Sequence, residues 1–206
     1  AWLQQTGSLT PDSPANALMV YVCPVGQDGL IILPTHRVVR QLGPGWIDRL
    51  SAANDVECRS VPGRLNDLLD QLDQLEEDQI ALAATDGKQQ ALILRKSGPD
   101  SDLYENVAPA LRNLDVTFLH QAVLNRLLEV PEDTPGRLSY FRDPQEALAL
   151  VKESPSSGAF FLRPPKPERV MQVSKSGHRM PPKSTDFYPK IPTGLVIRLL
   201  REPPTA

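Results

Sequence analysis

The sequence predicts a mixed α/β or α+β fold, in which helices flank a sheet. Apolar runs of strand length alternate with segments whose apolar residues recur at three- and four-residue steps. An Asp-Gly pair between two apolar runs predicts a hairpin, so at least one pair of strands should be antiparallel. The 206 residues are 40% apolar and 5% aromatic, which suffices for one large domain or two small ones with mostly aliphatic cores.

Strands are predicted where apolar residues run together between turn residues. Residues 17–23 are apolar on both faces, as in a central strand, and residues 30–33 follow a Gln-Asp-Gly turn, so the two are candidates for a hairpin. Pro34 ends the second of these strands. The other predicted strands are 56–60 at a sheet edge, 80–84 and 90–95 around Asp86-Gly87, 138–141, 158–163 and 194–200.

Helices are predicted from their apolar stripes and from their first residues. Residues 63–79 place leucines on one face and acids on the other, which is typical of a solvated helix face rather than a metal site. Asp143-Pro144 is a helix start with Asp143 as N-cap, and Asp115 is a candidate cap for a helix over 116–128. Shorter helices are expected at 47–53 and 168–174.

Composition excludes several classes of function. The net charge of −3 and a pI near 5.7 disfavour a nucleic-acid binder that works through bulk charge. No apolar run approaches the roughly 20 residues that a membrane-spanning helix needs. Cys23 and Cys58 lack a CxxC spacing, so we interpret them as free thiols in a reducing cytoplasm, with no metal site.

Residues 180–190 are the strongest candidate for a binding segment. Three prolines remove three backbone donors, so the segment should be a rigid irregular loop. It carries Lys183, Ser184, Thr185, Tyr188 and Lys190, whose ammonium and hydroxyl groups suit a phosphate. The glycine-rich cradle of a P-loop is absent. The alternative is a structural loop whose lysines are simply solvated.

A second candidate follows the strand at 30–33. Thr35, His36 and Arg37 stand at its carboxyl end, where ligands gather in open α/β sheets. Arg37 and Thr35 would bind an anion, and His36 would act as a general acid or base. The alternative for His36 is a turn-capping role. His120 is interpreted as a partly buried helical histidine.

These same segments resemble the DUF1015 family of bacterial and archaeal proteins. The likeness covers most of the chain in order and is most specific in the last long motif. The segments that carry it are 28–39, 114–116, 158–162, 180–190 and 194–196. Asp186 departs from the pattern, because many relatives have an aromatic residue there.

The resemblance implies that residues 1–206 are the C-terminal half of a longer protein, with a sub-boundary near 96–103. A DGHHR-type motif would precede this half, and the missing N-terminal half would be its partner. The likeness of that motif to ParB/sulfiredoxin-like proteins, some of which phosphorylate free serine, implies a nucleotide-dependent small-molecule kinase that uses ATP or ADP with Mg²⁺. This chain would then supply the phosphate-binding side. The alternative is a non-catalytic regulatory or protein-interaction module.

Overall fold

The computed structural model describes residues 13–17, 19–22, 24, 30–96, 98, 101–131 and 136–198. The chain divides into a small unit, from residues 1–31 and 189–206, and a larger unit that covers residues 32–188. The main sheet and its helices belong to the larger unit.

The larger unit is built on a six-stranded antiparallel sheet. Its strands are β2 (His36–Val39), β3 (Val56–Ser60), β4 (Ala81–Thr85), β5 (Gln90–Arg95), β6 (Leu138–Phe141) and β7 (Gly158–Phe161). Their order across the sheet is β3-β5-β4-β7-β2-β6. Two further strands, β1 (Ile31–Leu33) and β8 (Asp186–Tyr188), form a separate two-stranded sheet. The fold class is therefore mixed α+β with flanking helices, as predicted.

The register defines two ends of the sheet. Strand β7 lies between β2 and β4 and runs antiparallel to both, with Val38 opposite Ala159 and Ala84 opposite Phe160. Strands β2 and β4 consequently run in the same direction. Their carboxyl ends meet the amino end of β7, which we call the Gly158 end. Their amino ends meet the carboxyl end of β7, which we call the Arg163 end.

Helices cover both faces of the sheet. They are α1 (Trp46–Ser51), α2 (Leu65–Asp73), α3 (Asp115–Thr117), α4 (Pro144–Glu153) and α5 (Pro167–Lys175). Helix α3 continues as a π-helix over Phe118–Leu127. One core contains Trp46, Phe118 and Phe160, and the other contains Leu68, Val151 and Phe161. Because Phe160 and Phe161 are neighbours on β7, the two cores occupy opposite faces of the sheet.

Local sequence signals correctly located several elements. Strands β4 and β5 pair around the Asp86-Gly87 turn, and β3 lies at the sheet edge. Asp143 accepts a hydrogen bond from the Gln145 N–H at 2.8 Å and is the N-cap of α4, as predicted. These features depend on interactions within a few residues or on a simple apolar pattern, so they are readable from sequence.

Two helix predictions were wrong in detail. The helix predicted over 63–79 ends at Asp73, and the carbonyls of Glu76 and Gln79 beyond it accept hydrogen bonds from the Arg163 side chain. Asp115 does not cap a helix through its side chain. Its carboxylate binds Arg163, and the helix that follows adopts a π pitch, in which the Leu128 N–H bonds the Val123 carbonyl at 2.9 Å.

Two predicted strands are not found where the structure describes them. Residues 19–22 and 194–198 have no strand assignment. The side chains at 19–22 are 53–84% exposed, and those at 195–197 are 68–77% exposed. A strand needs a neighbour for its backbone hydrogen bonds, which an apolar run cannot reveal. Positions 18, 23, 199 and 200 lie outside the described residues.

Three further observations bear on function. None of the helices in the described part of the chain has both the length and the apolar character to span a bilayer. The same residues contain no group of three or more metal-ligating side chains. Cys58 is a half-buried free thiol, and burial raises its pKa, while Cys23 lies outside the described residues.

Candidate functional site

The Arg163 end of the sheet brings the two candidate binding segments together. The Arg37 guanidinium donates a hydrogen bond from Nη2 to the backbone oxygen of Lys183 at 2.9 Å. Its Nη1 donates to the backbone oxygen of Thr35. Arg37 is only 1% exposed. The segments around residues 35 and 183, which are far apart in sequence, therefore meet in one place.

Cross-strand neighbours hold the Arg37 side chain. Arg37 is opposite Tyr140 on β6 and opposite Phe160 on β7. Its guanidinium lies 5.5 Å from the centre of the Tyr140 ring, within the range of a cation–π contact. The hydrogen bonds to Thr35 and Lys183 direct the charge toward backbone carbonyls. Arg37 thus anchors the 180–185 loop to the sheet.

His36 points to the other face of the sheet from Arg37, because neighbouring side chains on a strand alternate. Its ring packs edge-on against Phe161, with 5.3 Å between ring centres. Its Nδ1 accepts a hydrogen bond from the Leu162 N–H at 3.4 Å. Burial, together with the charge of Arg37, lowers the pKa of His36 to about 4. The ring is consequently neutral near pH 7, with its proton on Nε2.

The 180–185 loop has a strained backbone at one residue and a side-chain hydrogen bond that closes it. Lys183 adopts a left-handed backbone with φ +56°, which is uncommon for a residue with a side chain. The Ser184 hydroxyl donates to the Pro181 carbonyl at 2.6 Å, and Ser184 is buried. The Lys183 side chain is exposed. The loop therefore has a fixed backbone and presents its lysine to solvent.

The remaining predicted residues are placed differently. Thr185 is half-buried beside the loop, and Tyr188 is 52% exposed on β8. Lys190 belongs to the small unit. The structure thus brings together Thr35, Arg37, Lys183 and Ser184, while it turns His36 to the opposite face of the sheet.

A cavity of about 220 Å³ opens beside Ser184 at the same end of the sheet. Its apolar lining comprises Leu75, Ile80, Leu114, Val116, Pro164, Pro165 and Met180. Its polar lining comprises Asp73, Glu77, Asn113, Asp115, Arg163, Lys166, Arg169 and Ser184. Three acids and three bases therefore surround a small apolar floor.

An ion pair whose two side chains are only 14–15% exposed forms one wall of this cavity. Arg163 Nε lies 3.0 Å from Asp115 Oδ2, and its Nη2 donates to Asp115 Oδ1 at 3.3 Å. Asp115 Oδ1 also accepts the Ala81 N–H at 3.1 Å. Burial raises the pKa of Asp115, and the charge and hydrogen bonds of Arg163 oppose that rise. Arg163 also donates hydrogen bonds to the backbone oxygens of Glu76 and Gln79. The ion pair therefore links separate segments of the chain and has a structural role.

The charged side chains at the rim of the cavity make weak interactions that a ligand could replace. Lys166 Nζ lies 2.6 Å from Glu77 Oε2, and both side chains are more than half exposed. Arg169 makes one long hydrogen bond, at 3.4 Å, to the side-chain oxygen of Gln172. Exposed ion pairs contribute at most about 1 kcal/mol, so a ligand can replace them at low cost. The rim can accordingly hold groups of both signs.

Sequence reasoning missed most of this cavity. Arg163 is the last residue of the predicted strand 158–163, and Lys166 and Arg169 follow it beyond two consecutive prolines. Their position at the carboxyl end of a predicted strand could have indicated a binding site. The three basic residues are, however, spread over seven positions, so they do not form a recognisable motif. The prediction of His120 as a partly buried helical histidine was closer to the structure, where it is a buried residue of the π-helix. Burial and the charge of Arg37 lower the pKa of His120 to about 4.

One comparison with known proteins places this chain. The family described as protein of unknown function (DUF1015) matches residues 2–117, which is more than half of the sequence. Strands β2 to β5 and Asp115 lie within the matched residues, whereas the 180–190 loop lies beyond them. No curated protein and no solved structure matches the chain. A relation to the ParB/sulfiredoxin-like fold therefore stays a prediction.

Proposed function

The chain belongs to the DUF1015 family, and we propose that it is a ligand-binding part of a family protein whose cavity beside Ser184 takes a small zwitterion of the amino-acid class. The observation that carries this proposal is the pairing of opposite charges around an apolar floor. A free amino acid has the matching features, since it carries an ammonium, a carboxylate and a short side chain.

The size of the cavity supports a small ligand. Pockets for drug-sized molecules usually measure about 300–1,000 Å³. The cavity beside Ser184 measures about 220 Å³, which suits a molecule smaller than those. Leu114, Val116 and Met180 would contact its apolar part.

The rim charges give the ligand an orientation. Arg169 and Lys166 would bind the carboxylate, and Arg169 is suited to do so with two parallel hydrogen bonds. Glu77, released from Lys166, would accept the ammonium. The structural pair Asp115–Arg163 would keep its own contacts, because its hydrogen bonds already hold three segments together.

The family resemblance adds an enzymatic form of this proposal. In the intact protein the bound amino acid would carry a hydroxyl that receives a phosphoryl group from a nucleotide. Lys183 and Thr185, with Ser184 at the cavity, would contact the phosphate, and the exposed ammonium of Lys183 would offset its charge. ATP with Mg²⁺ would be the donor, and the protein would act in the cytoplasm.

Calorimetric titration of the full chain with L-serine tests the binding step. We expect saturable binding that falls at least tenfold for L-serine methyl ester and for N-acetyl-L-serine, each of which lacks one charge. Arg169→Met should weaken L-serine by a similar factor, and Arg59→Met is the matched control, because Arg59 is an exposed arginine paired with Glu57 on an edge strand. Equal binding of the methyl ester, or no binding of any amino acid, would refute the proposal.

A second candidate function rests on the small unit. Its described residues include Met19, Val20, Tyr21 and Val22, whose apolar side chains are 53–84% exposed. Such exposure favours an interaction surface, and we assign it to the N-terminal half that the resemblance implies. Adding that half as a separate polypeptide should slow amide hydrogen exchange at residues 19–22. Unchanged exchange at saturating concentration would rule this function out.

A further inference from the structure

A second cavity, of about 600 Å³, opens at the Gly158 end of the sheet. Three loops build it: 43–46 after β2, 86–88 in the turn after β4, and 155–157 before β7. Because β2 and β4 run opposite to β7, this end of the sheet is the one remote from Ser184 and Arg163. The second cavity is thus a separate site within the same unit.

The loops around this cavity are strained and held in place. Gln41 and Ser156 adopt left-handed backbones, with φ values of +61° and +68°. The Leu42 N–H donates to the Ser156 carbonyl at 2.7 Å, and Arg49 donates to the carbonyls of Leu42 and Pro44 at 2.7 and 3.1 Å. Left-handed backbones are energetically unfavourable for residues other than glycine, and such residues cluster at ligand sites.

Hydrogen-bond donors outnumber acceptors among the side chains of the lining. The indole N–H of Trp46 is buried without a hydrogen-bond partner, and Trp46 is 1% exposed. Ser157 is a second buried residue of the lining, with 2% of its surface exposed. Lys88 and Lys152 add two exposed ammonium groups at the mouth. A complementary ligand would be rich in acceptors and negatively charged.

Asp86, the acidic residue in the lining of this cavity, already accepts hydrogen bonds from the backbone. Asp86 Oδ1 accepts the backbone N–H groups of Lys88 and Gln89 at 2.8 and 2.7 Å, which stabilises the turn. That turn packs on α4: a Cβ added to Gly87 would lie 3.5 Å from Lys152 Cγ. The two lysines therefore share one rim, where an anion placed between them would relieve their mutual repulsion.

We propose that this cavity binds a phosphorylated small molecule. The phosphate would lie between Lys88 and Lys152, and the remainder of the ligand would extend toward Trp46 and the Ser157 hydroxyl. A phosphate supplies several acceptor oxygens and a double negative charge, which matches the two ammonium groups of the rim. The volume lies within the usual range of about 300–1,000 Å³ for small-molecule pockets.

Trp46 fluorescence tests this site directly. The chain has two tryptophans, so Trp2→Phe leaves Trp46 as the single reporter. Titration of this variant with ribose 5-phosphate should give a saturable change, whereas free ribose and equal concentrations of sodium chloride should give none. Sodium pyrophosphate tells whether the phosphate alone suffices or the attached sugar is needed.

Charge variants decide where the probe binds. Lys88→Met with Lys152→Met should weaken ribose 5-phosphate at least tenfold, and the corresponding Lys→Arg pair should retain most of the affinity. Both lysines are exposed, so the fold should survive. Arg59→Met, on the edge strand β3 and outside the lining of this cavity, is the matched control and should leave this titration unchanged. The site is refuted if neither phosphate probe saturates, or if the double Met variant binds as tightly as the parent.

Discussion

The guanidinium of Arg37 donates a hydrogen bond to the backbone oxygen of Lys183, 2.9 Å away and 146 positions later in the sequence. Arg37 lies inside the sheet, and Lys183 lies in a proline-rich loop. The bond closes the Arg163 end of the fold, because it fixes the loop that lines the cavity beside Ser184. A buried cation at this position stabilises backbone geometry near the site.

Replacement of Arg37 should destabilise the protein. Arg37→Met leaves the carbonyls of Thr35 and Lys183 without their donor, which should lower the free energy of unfolding by about 2–3 kcal/mol. Urea denaturation followed by circular dichroism measures this loss. Arg59→Met, which removes an exposed ion pair, should cost less than about 1 kcal/mol. Equal effects of the two substitutions would contradict the anchoring role.

The Asp115–Arg163 pair should be strongly coupled. Asp115→Asn leaves a guanidinium that is largely shielded from solvent without its carboxylate, and the expected loss is about 3 kcal/mol. A double-mutant cycle with Arg163→Met, measured by urea unfolding, should give a coupling energy of about 1–3 kcal/mol. The exposed pair of Lys166 and Glu77 provides the comparison, and its cycle should give less than about 1 kcal/mol. Additive effects of the Asp115 and Arg163 substitutions would show that the ion pair contributes little to the stability of the fold.

Gly158 should tolerate no side chain. A Cβ at this position would lie 2.5 Å from Trp46 Cζ2 and 2.8 Å from Leu42 Cδ1. Gly158→Ala should therefore overpack the core and lower stability by about 1–3 kcal/mol. A blue or red shift of the Trp46 emission should accompany the loss. Gly98→Ala is the control, since an added Cβ there meets nothing within 4 Å, and a similar loss at Gly98 would argue against the packing explanation.

Stability should fall on mild acidification. Burial lowers the pKa of His36 and His120 to about 4 in the folded protein, against about 6.5 when unfolded. Between these values the unfolded chain binds more protons, so the free energy of unfolding falls as the pH drops from about 6.5 toward 4. The loss approaches roughly 3 kcal/mol for each histidine.

Unfolding curves at four pH values between 7 and 4 measure this dependence. His36→Gln and His120→Gln should each reduce the slope, whatever they do to stability at pH 7. A parent protein with constant stability from pH 6.5 to pH 4.5 would contradict the burial of these rings.

Local chemistry determined what the sequence alone could predict. The Asp86-Gly87 hairpin, the Asp143 cap and the leucine stripe of α2 each depend on neighbours within a few residues, and all three are present. The prolines correctly predicted an irregular backbone over 180–185, because proline restricts its own backbone regardless of context, but the predicted loop was wrong at 186–188, which form β8. The family resemblance also came from short segments, and the family match covers residues 2–117.

Long-range placement decided the rest. The alternation of a strand separates His36 from Arg37: His36 packs against Phe161, and Arg37 binds the backbone oxygen of Lys183. Each of these partners lies more than 100 positions later in the sequence. The sequence predicted Asp115 as a helix cap, whereas in the folded chain its carboxylate lies 3.0 Å from the Arg163 guanidinium. Both cavities are lined by residues from four or more separate segments, so no spacing in the sequence reveals them. Sequence patterns report local preferences, whereas a binding site is a property of the contacts that chain folding creates.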